Sequence, residues 1–143
     1  MDNIEQNHFI EHIRLSYAHV LKTYLRFHDN YNHLKIKTTD EESKKVFQLL
    51  DQSLYGKTGK LNWDNICPLM PANLEKGIKK EYAMLSENEI KLCCLLFFGV
   101  PCKDIASVMS HTQQSVHSIT YRIKQKTGMK NIRESLKSFL MSE

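Results

Sequence analysis

The chain has 143 residues, enough for one domain, or a small domain with an extension, at roughly 100–150 residues per domain. Apolar residues make up 41%, enough to fill a core, and only 5 Gly and 3 Pro interrupt it, so the composition predicts an all-α chain and argues against a turn-rich β fold. The formal net charge of +4 is a weak statement about partners, but its distribution is informative: no Asp or Glu occurs from Ile105 to Arg133.

Residues from about Ile4 to Leu34 predict one long helix. Ile10, Ile13, Tyr17, Val20, Tyr24, Phe27, Tyr31 and Leu34 recur at alternating spacings of three and four, an a/d heptad stripe. The e and g positions (Arg14, Ser16, Leu21, Thr23, His28 and Asn30) lack the charge pairs that set coiled-coil partners, and Leu21 widens the stripe. Two arrangements fit equally: packing inside a helical bundle, and a homodimer seam made by Ile10, Ile13, Tyr17, Val20, Tyr24 and Phe27.

Lys35 to Asp40 is polar and predicts a loop, and Thr39 followed by Glu42 fits a capping box for the next helix. That helix carries Val46, Phe47, Leu50 and Leu54 on one face and stops at Gly56 and Gly59. Asn62 is placed to cap a short helix with Trp63 and Ile66, which Pro68 and Pro71 end. A further helix is expected from about Ala72 to Met84, with Leu74, Ile78, Tyr82 and Leu85 on its face.

From Ser86 the signals sharpen. Ser86 and Glu89 form a capping box before an apolar run in which Ile90, Cys93, Cys94 and Phe97 share a face with Leu92, Leu95 and Leu96 beside it; a helix apolar over most of its girth is buried. Gly99 suits the left-handed position past a helix end, and Pro101 suits the start of the next helix. That helix is short, with Ile105, Ala106 and Met109 inward. Ser110 and His111 make a turn, Thr112 caps a third helix with Val116, Ile119 and Ile123 inward, and Gly128 stops it. Asn131 opens a fourth helix with Ile132, Leu136, Phe139 and Leu140 on its face.

The acid-free stretch from Ile105 to Arg133 carries Arg122, Lys124, Lys126, Lys130 and Arg133. Such a block can face phosphates, although charge alone equally describes a solvated face. The four cysteines, Cys67, Cys93, Cys94 and Cys102, contain no C-x-x-C pair, so no zinc site is expected. Cys93, Cys94 and Cys102 read as small buried hydrophobes in a reducing cytoplasm. The N-terminus has neither a basic nor an apolar leader region, and no run approaches the roughly 20 apolar residues of a membrane span, so a cytoplasmic protein is expected.

The order capped helix, Gly, short helix, three-residue turn, capped amphipathic helix, Gly, short helix covers Leu85 to Met141 and resembles the LuxR/GerE-type helix-turn-helix domain. The matching residues are Leu85, Ser86 and Glu89 at the start; Gly99, Val100, Pro101, Lys103, Asp104, Ile105 and Ala106 in the scaffold helix; and Ser115, Val116, Tyr121, Arg122, Ile123 and Lys126 in the third helix. Region 4 of sigma factors shares much of this signature. The stretch from Trp63 through Leu74 and Ile78 to Leu85 looks like the linker before this domain in bacterial regulators that sense through tetratricopeptide repeats. The chain then looks like the output end of such a protein or a stand-alone relative, with a helical dimerisation and linker module over residues 1–80 and the DNA-binding domain over 81–143.

The resemblance implies a bacterial transcription regulator whose partner is double-stranded DNA, with no cofactor and no catalysis. The family's base-facing positions fall on His117, Ser118 and Tyr121, with Gln114 at the N-terminal end of the helix. Lys103, Thr112, Arg122, Lys124 and Lys126 would meet phosphates. Many family members carry Lys or Arg at the base-facing positions, so His, Ser and Tyr here depart from the pattern. RNA polymerase or a separate sensor protein is a further partner that the resemblance leaves open.

Other readings compete with it. A protein-binding adaptor without DNA binding would use the same four-helix unit, but the acid-free stretch argues against it. His8, Glu11 and His12 match H-x-x-E-H, a zinc-hydrolase pattern, without a third ligand in sight. Gly56, Lys57 and Thr58 match the end of a P-loop, but Asp51 stands where its first Gly is required and a helix precedes it. Cys94 as a nucleophile is at odds with its apolar flanks.

Overall fold

A computed structural model describes residues 3–141; Met1, Asp2, Ser142 and Glu143, the outermost positions of the two expected modules, lie outside the described residues. Helices and turns account for all regular structure, with no strand among the described residues. The helices are α1 (Asn3–Lys37), α2 (Glu41–Tyr55), α3 (Trp63–Ile66), α4 (Ala72–Glu81), α5 (Glu87–Phe97), α6 (Cys102–Met109), α7 (Gln113–Thr127) and α8 (Ile132–Leu136). Tight 3-10 turns follow α2 (Gly56–Thr58), α3 (Cys67–Leu69) and α8 (Lys137–Met141).

Most boundaries fall where side chains satisfy the free amides of a first helical turn. Asn62 and Asn65 form a reciprocal box at α3, Ser86 and Glu89 do the same at α5, Thr112 accepts from the Ser115 amide at α7, and Asn131 from the Glu134 amide at α8. At α2 the expected cap on Thr39 is one residue off: Asp40 is the cap and accepts from the Ser43 amide at 2.9 Å. A carboxylate there also complements the positive end of the helix. α4 stops at Glu81, short of the expected Met84, because Tyr82 leaves the helical region. The last segment is α-helical only through Leu136, and Phe139 and Leu140 sit in the 3-10 turn. Gly99 and Gly128 both have positive φ just past helix ends, as their spacing predicted, and Ser110 is the one non-glycine that shares this region among the described residues.

The long first helix corrects its expected orientation. Its buried residues are Ile10, Arg14, Leu21, Leu25, His28 and Tyr31, whereas Val20, Phe27 and Leu34 are 47%, 50% and 62% exposed. Hence Leu21 and two polar residues from the e and g positions turn inward. Each buried polar group has partners: Arg14 donates to the Phe97 carbonyl at 3.3 Å and pairs with Glu11, while His28 Nδ1 lies 2.6 Å from the Tyr55 hydroxyl and its Nε2 3.0 Å from Asn32. α2 lies on the same helix through Tyr31, whose hydroxyl donates to Asp51 at 2.7 Å and whose ring meets Phe47 edge-on.

One apolar core runs from α1 to α8. It joins Leu21, Leu25 and Tyr55 to Leu74 and Ile78 of α4 and to Phe97, Ile105, Val116, Ile123 and Leu136. α5 lies at its centre, with Leu92, Cys93, Cys94, Leu95 and Phe97 each at 1% exposure or less. In α6 Val108, not Met109, is the buried third residue, and in α7 Ile119 is half-buried between buried Val116 and Ile123. No helix among the described residues is long and apolar enough to cross a membrane.

Candidate nucleic-acid interface

α5, α6 and α7 position the surface that the charge distribution singled out. α6 begins on Pro101, whose carbonyl accepts from the Asp104 and Ile105 amides, and ends at Ser110 in the left-handed region. That reversal, with Thr112 capping the next helix, brings α7 back across α6 after three residues. Val116 and Ile123 are buried on the inner side of α7, which turns its other side to solvent.

The outer side gathers Gln114, His117, Ser118 and Tyr121, all exposed, with Tyr121 at 66%. At 3.6 residues per turn their spacings place them on one face. Their side chains differ in what they have left to offer. Ser118 already donates to the Gln114 carbonyl at 3.1 Å, so its hydroxyl oxygen remains as an acceptor. His117 Nε2 lies 3.7 Å from the Cys102 sulfur across the α6–α7 groove. Cys102 is half-buried there, not enclosed like Cys93 and Cys94 as its surroundings in sequence had suggested.

The cations divide between the two flanks of this face. On one flank Lys126 Nζ donates to Glu89 at 2.8 Å and Arg122 Nε lies 3.5 Å from the same carboxylate. Glu89 is 3% exposed and also accepts the Ser86 amide at 2.8 Å. Burial works against its charge, but Lys126 and Ser86 outweigh that and hold the carboxyl below its usual range. Arg122 and Lys126 thus share one counter-ion inside the protein.

On the other flank Lys124 stands over a hollow of about 370 Å³ that Lys130, Arg133, Asn131 and Glu134 also line. Three cations meet one acid there. Lys130 and Arg133 belong to the basic block in sequence, and the turn at Gly128 brings them beside Lys124 in space. Lys103 is exposed on α6, and the Thr112 hydroxyl is committed to its capping bond at 3.0 Å.

The residues of the expected seam separate. Ile10 is buried within the chain, the Tyr17 ring packs 5.5 Å from Phe98, and Ile13 and Tyr24 are half-buried, leaving Val20 and Phe27 as the exposed members. Of the H-x-x-E-H residues, Glu11 is engaged by Arg14 and Lys137, while His8 and His12 are exposed. Among the described residues no three His, Cys, Asp or Glu side chains stand close enough to hold a metal ion. No family model, curated protein or solved structure matches the chain.

Proposed function

We propose that this chain is a DNA-binding transcription regulator of the LuxR type, in which α6 and α7 act as the helix-turn-helix and α7 lies in the major groove. The observation that carries the reading is the outer face of α7: an exposed polar row, Gln114, His117, Ser118 and Tyr121, flanked on both sides by cations, with no acid between Ile105 and Arg133. A major groove about 12 Å wide admits one helix and exposes its phosphates on both walls. His and Ser suit hydrogen bonding to base edges, and the Tyr121 ring suits a thymine methyl. Lys103, Lys124, Lys130 and Arg133 suit the phosphates, which fix register without reading sequence. Exposed Val20, Phe27 and Leu34 support a homodimer, the assembly with which such proteins read two half-sites.

The test begins with selection of bound duplexes from a random pool, followed by salt titrations on the selected and a random duplex. Lys124→Ala is expected to weaken both equally and to lower the salt slope by about 1. Lys126→Ala is expected to do less, because Glu89 already neutralises that ammonium. His117→Ala is expected to cost about 1–3 kcal/mol on the selected duplex alone. Equal losses for the His117 and Lys124 variants on both duplexes reject base reading by α7, and no loss from either rejects this surface as the DNA site.

A further inference from the structure

The cations of α7 look alike in sequence but are not equally available. Lys126 Nζ lies 2.8 Å from Glu89 Oε1, and Arg122 Nε lies 3.5 Å from Oε2. Glu89 comes from α5, 37 positions before Lys126, and brings an acid to a helix whose own stretch of sequence has none. Its side chain is buried, whereas those of Lys126 and Arg122 are 38% and 58% exposed. The two contacts differ in kind. Oε1 accepts hydrogen bonds from Lys126 and from the Ser86 amide, while Oε2, also enclosed, has no hydrogen-bond partner among the described residues. Arg122 therefore meets the carboxylate by charge alone, and Lys126 is the cation bonded to it. Lys124, on the other flank, makes no ion pair among the described residues.

We propose that Glu89 limits the attraction of α7 for the DNA backbone by masking Lys126, which stays on the carboxylate when duplex binds; this rests on the reading of α7 as the DNA-binding helix. A phosphate could take Lys126 only by leaving an enclosed carboxylate oxygen without its cation. A charge left unpaired inside a protein costs more than one exposed phosphate contact returns. With its charge balanced by Glu89, Lys126 releases no counter-ion on binding, which removes about one unit of salt slope. The loss is the same on every duplex, because phosphates carry no sequence information. Glu89 thus lowers the general affinity of the helix and leaves discrimination to Gln114, His117, Ser118 and Tyr121.

Salt titrations of the full chain on the selected and the random duplex test this, at a temperature where circular dichroism shows each variant folded. Glu89→Gln removes the charge and is expected to steepen the salt slope by about 1 on both duplexes. Adding Lys126→Ala to it is expected to return the slope to that of the unaltered chain. Glu89→Asp keeps the charge and is expected to hold the slope near the unaltered value; a purely structural Glu89 would make its Gln and Asp variants alike. The ammonium nitrogen resonances of the unaltered protein report the same event, so the test holds even where Glu89→Gln does not fold. On adding the selected duplex the Lys124 signal is expected to shift and the Lys126 signal to stay. An unchanged or shallower slope in Glu89→Gln, or a Lys126 shift equal to that of Lys124, overturns the proposal and leaves the reading of α7 standing. No response to duplex at Lys124 rejects that reading first, and the masking falls with it.

Discussion

At Glu89 the carboxylate has lost almost all contact with water and keeps its charge through the Ser86 amide, Lys126 and Arg122. Its folded pKa lies below the ordinary value of 4.5. The stability it contributes is therefore present above that value and is lost as pH falls through the lowered one. Glu89→Gln is expected to cost about 1–3 kcal/mol near neutrality. Its deficit against the unaltered chain should shrink as pH falls through that lowered value and the carboxyl takes up its proton. Urea melts near neutrality and along a descending pH series check both parts; a deficit that does not shrink would mean that the cost is steric. The cap was legible from a spacing of three residues between Ser86 and Glu89. The partnership with Lys126, 37 positions on, carries no local signal.

Among the elements, α1 shows what a heptad pattern leaves undetermined. Two adjacent faces of that helix are both rich in apolar side chains, so periodicity identified the helix but not its inner side. The choice rests on Arg14 and His28, which are buried because Phe97, Glu11, Tyr55 and Asn32 offer partners from elsewhere or one turn away. The contact of α4 with the C-terminal turn is another case. A β-carbon on Gly77 would lie 2.5 Å from the Phe139 ring, which stacks edge-on to Tyr82. Ala in a helix interior ordinarily gains about 1 kcal/mol over Gly. Here Gly77→Ala is expected to destabilise instead, by about 1–3 kcal/mol from overpacking. In a Phe139→Ala background the same change should turn stabilising. A thermal double-mutant cycle measures the reversal, and additive effects would remove Phe139 as the cause. Nothing in the sequence around Gly77 signals this contact, because the close approach depends on where the chain end returns.

For the molecule as a whole, two surfaces compete for meaning, and they lie on different elements. The α7 face is polar and basic, whereas α1 and α2 expose Val20, Phe27, Leu34, Val46, Leu49 and Leu50, with Phe27 stacked on Tyr31. Apolar side chains left outside on two neighbouring helices fit an interface better than solvent. We expect a dimer by sedimentation at micromolar concentration, and a monomer with unchanged melting temperature after Phe27→Glu with Leu34→Glu. A monomeric parent chain would count against the assembly, and a dimeric double variant would move the contact elsewhere. The single core that joins α1 to α8 was not legible as such, because capping and periodicity are read one helix at a time.

The adjacent thiols of α5 give the chain a built-in clock. Cys93 and Cys94 are 0% and 1% exposed, and burial pushes the Cys93 thiol up to about 12 and Cys94 in the same direction, so neither offers a reactive thiolate in the folded state. Cys67 and Cys102 are half-buried. A thiol reagent is therefore expected to label these two first and to reach the α5 pair only when the core opens. Mass spectrometry over time should resolve two populations of sites. The slow rate, if it tracks denaturant as the global unfolding rate does, times the opening of the whole molecule at its own cysteines, with no residue introduced as a reporter. Labelling of all four cysteines at one rate would mean that α5 opens locally, well before the rest of the chain.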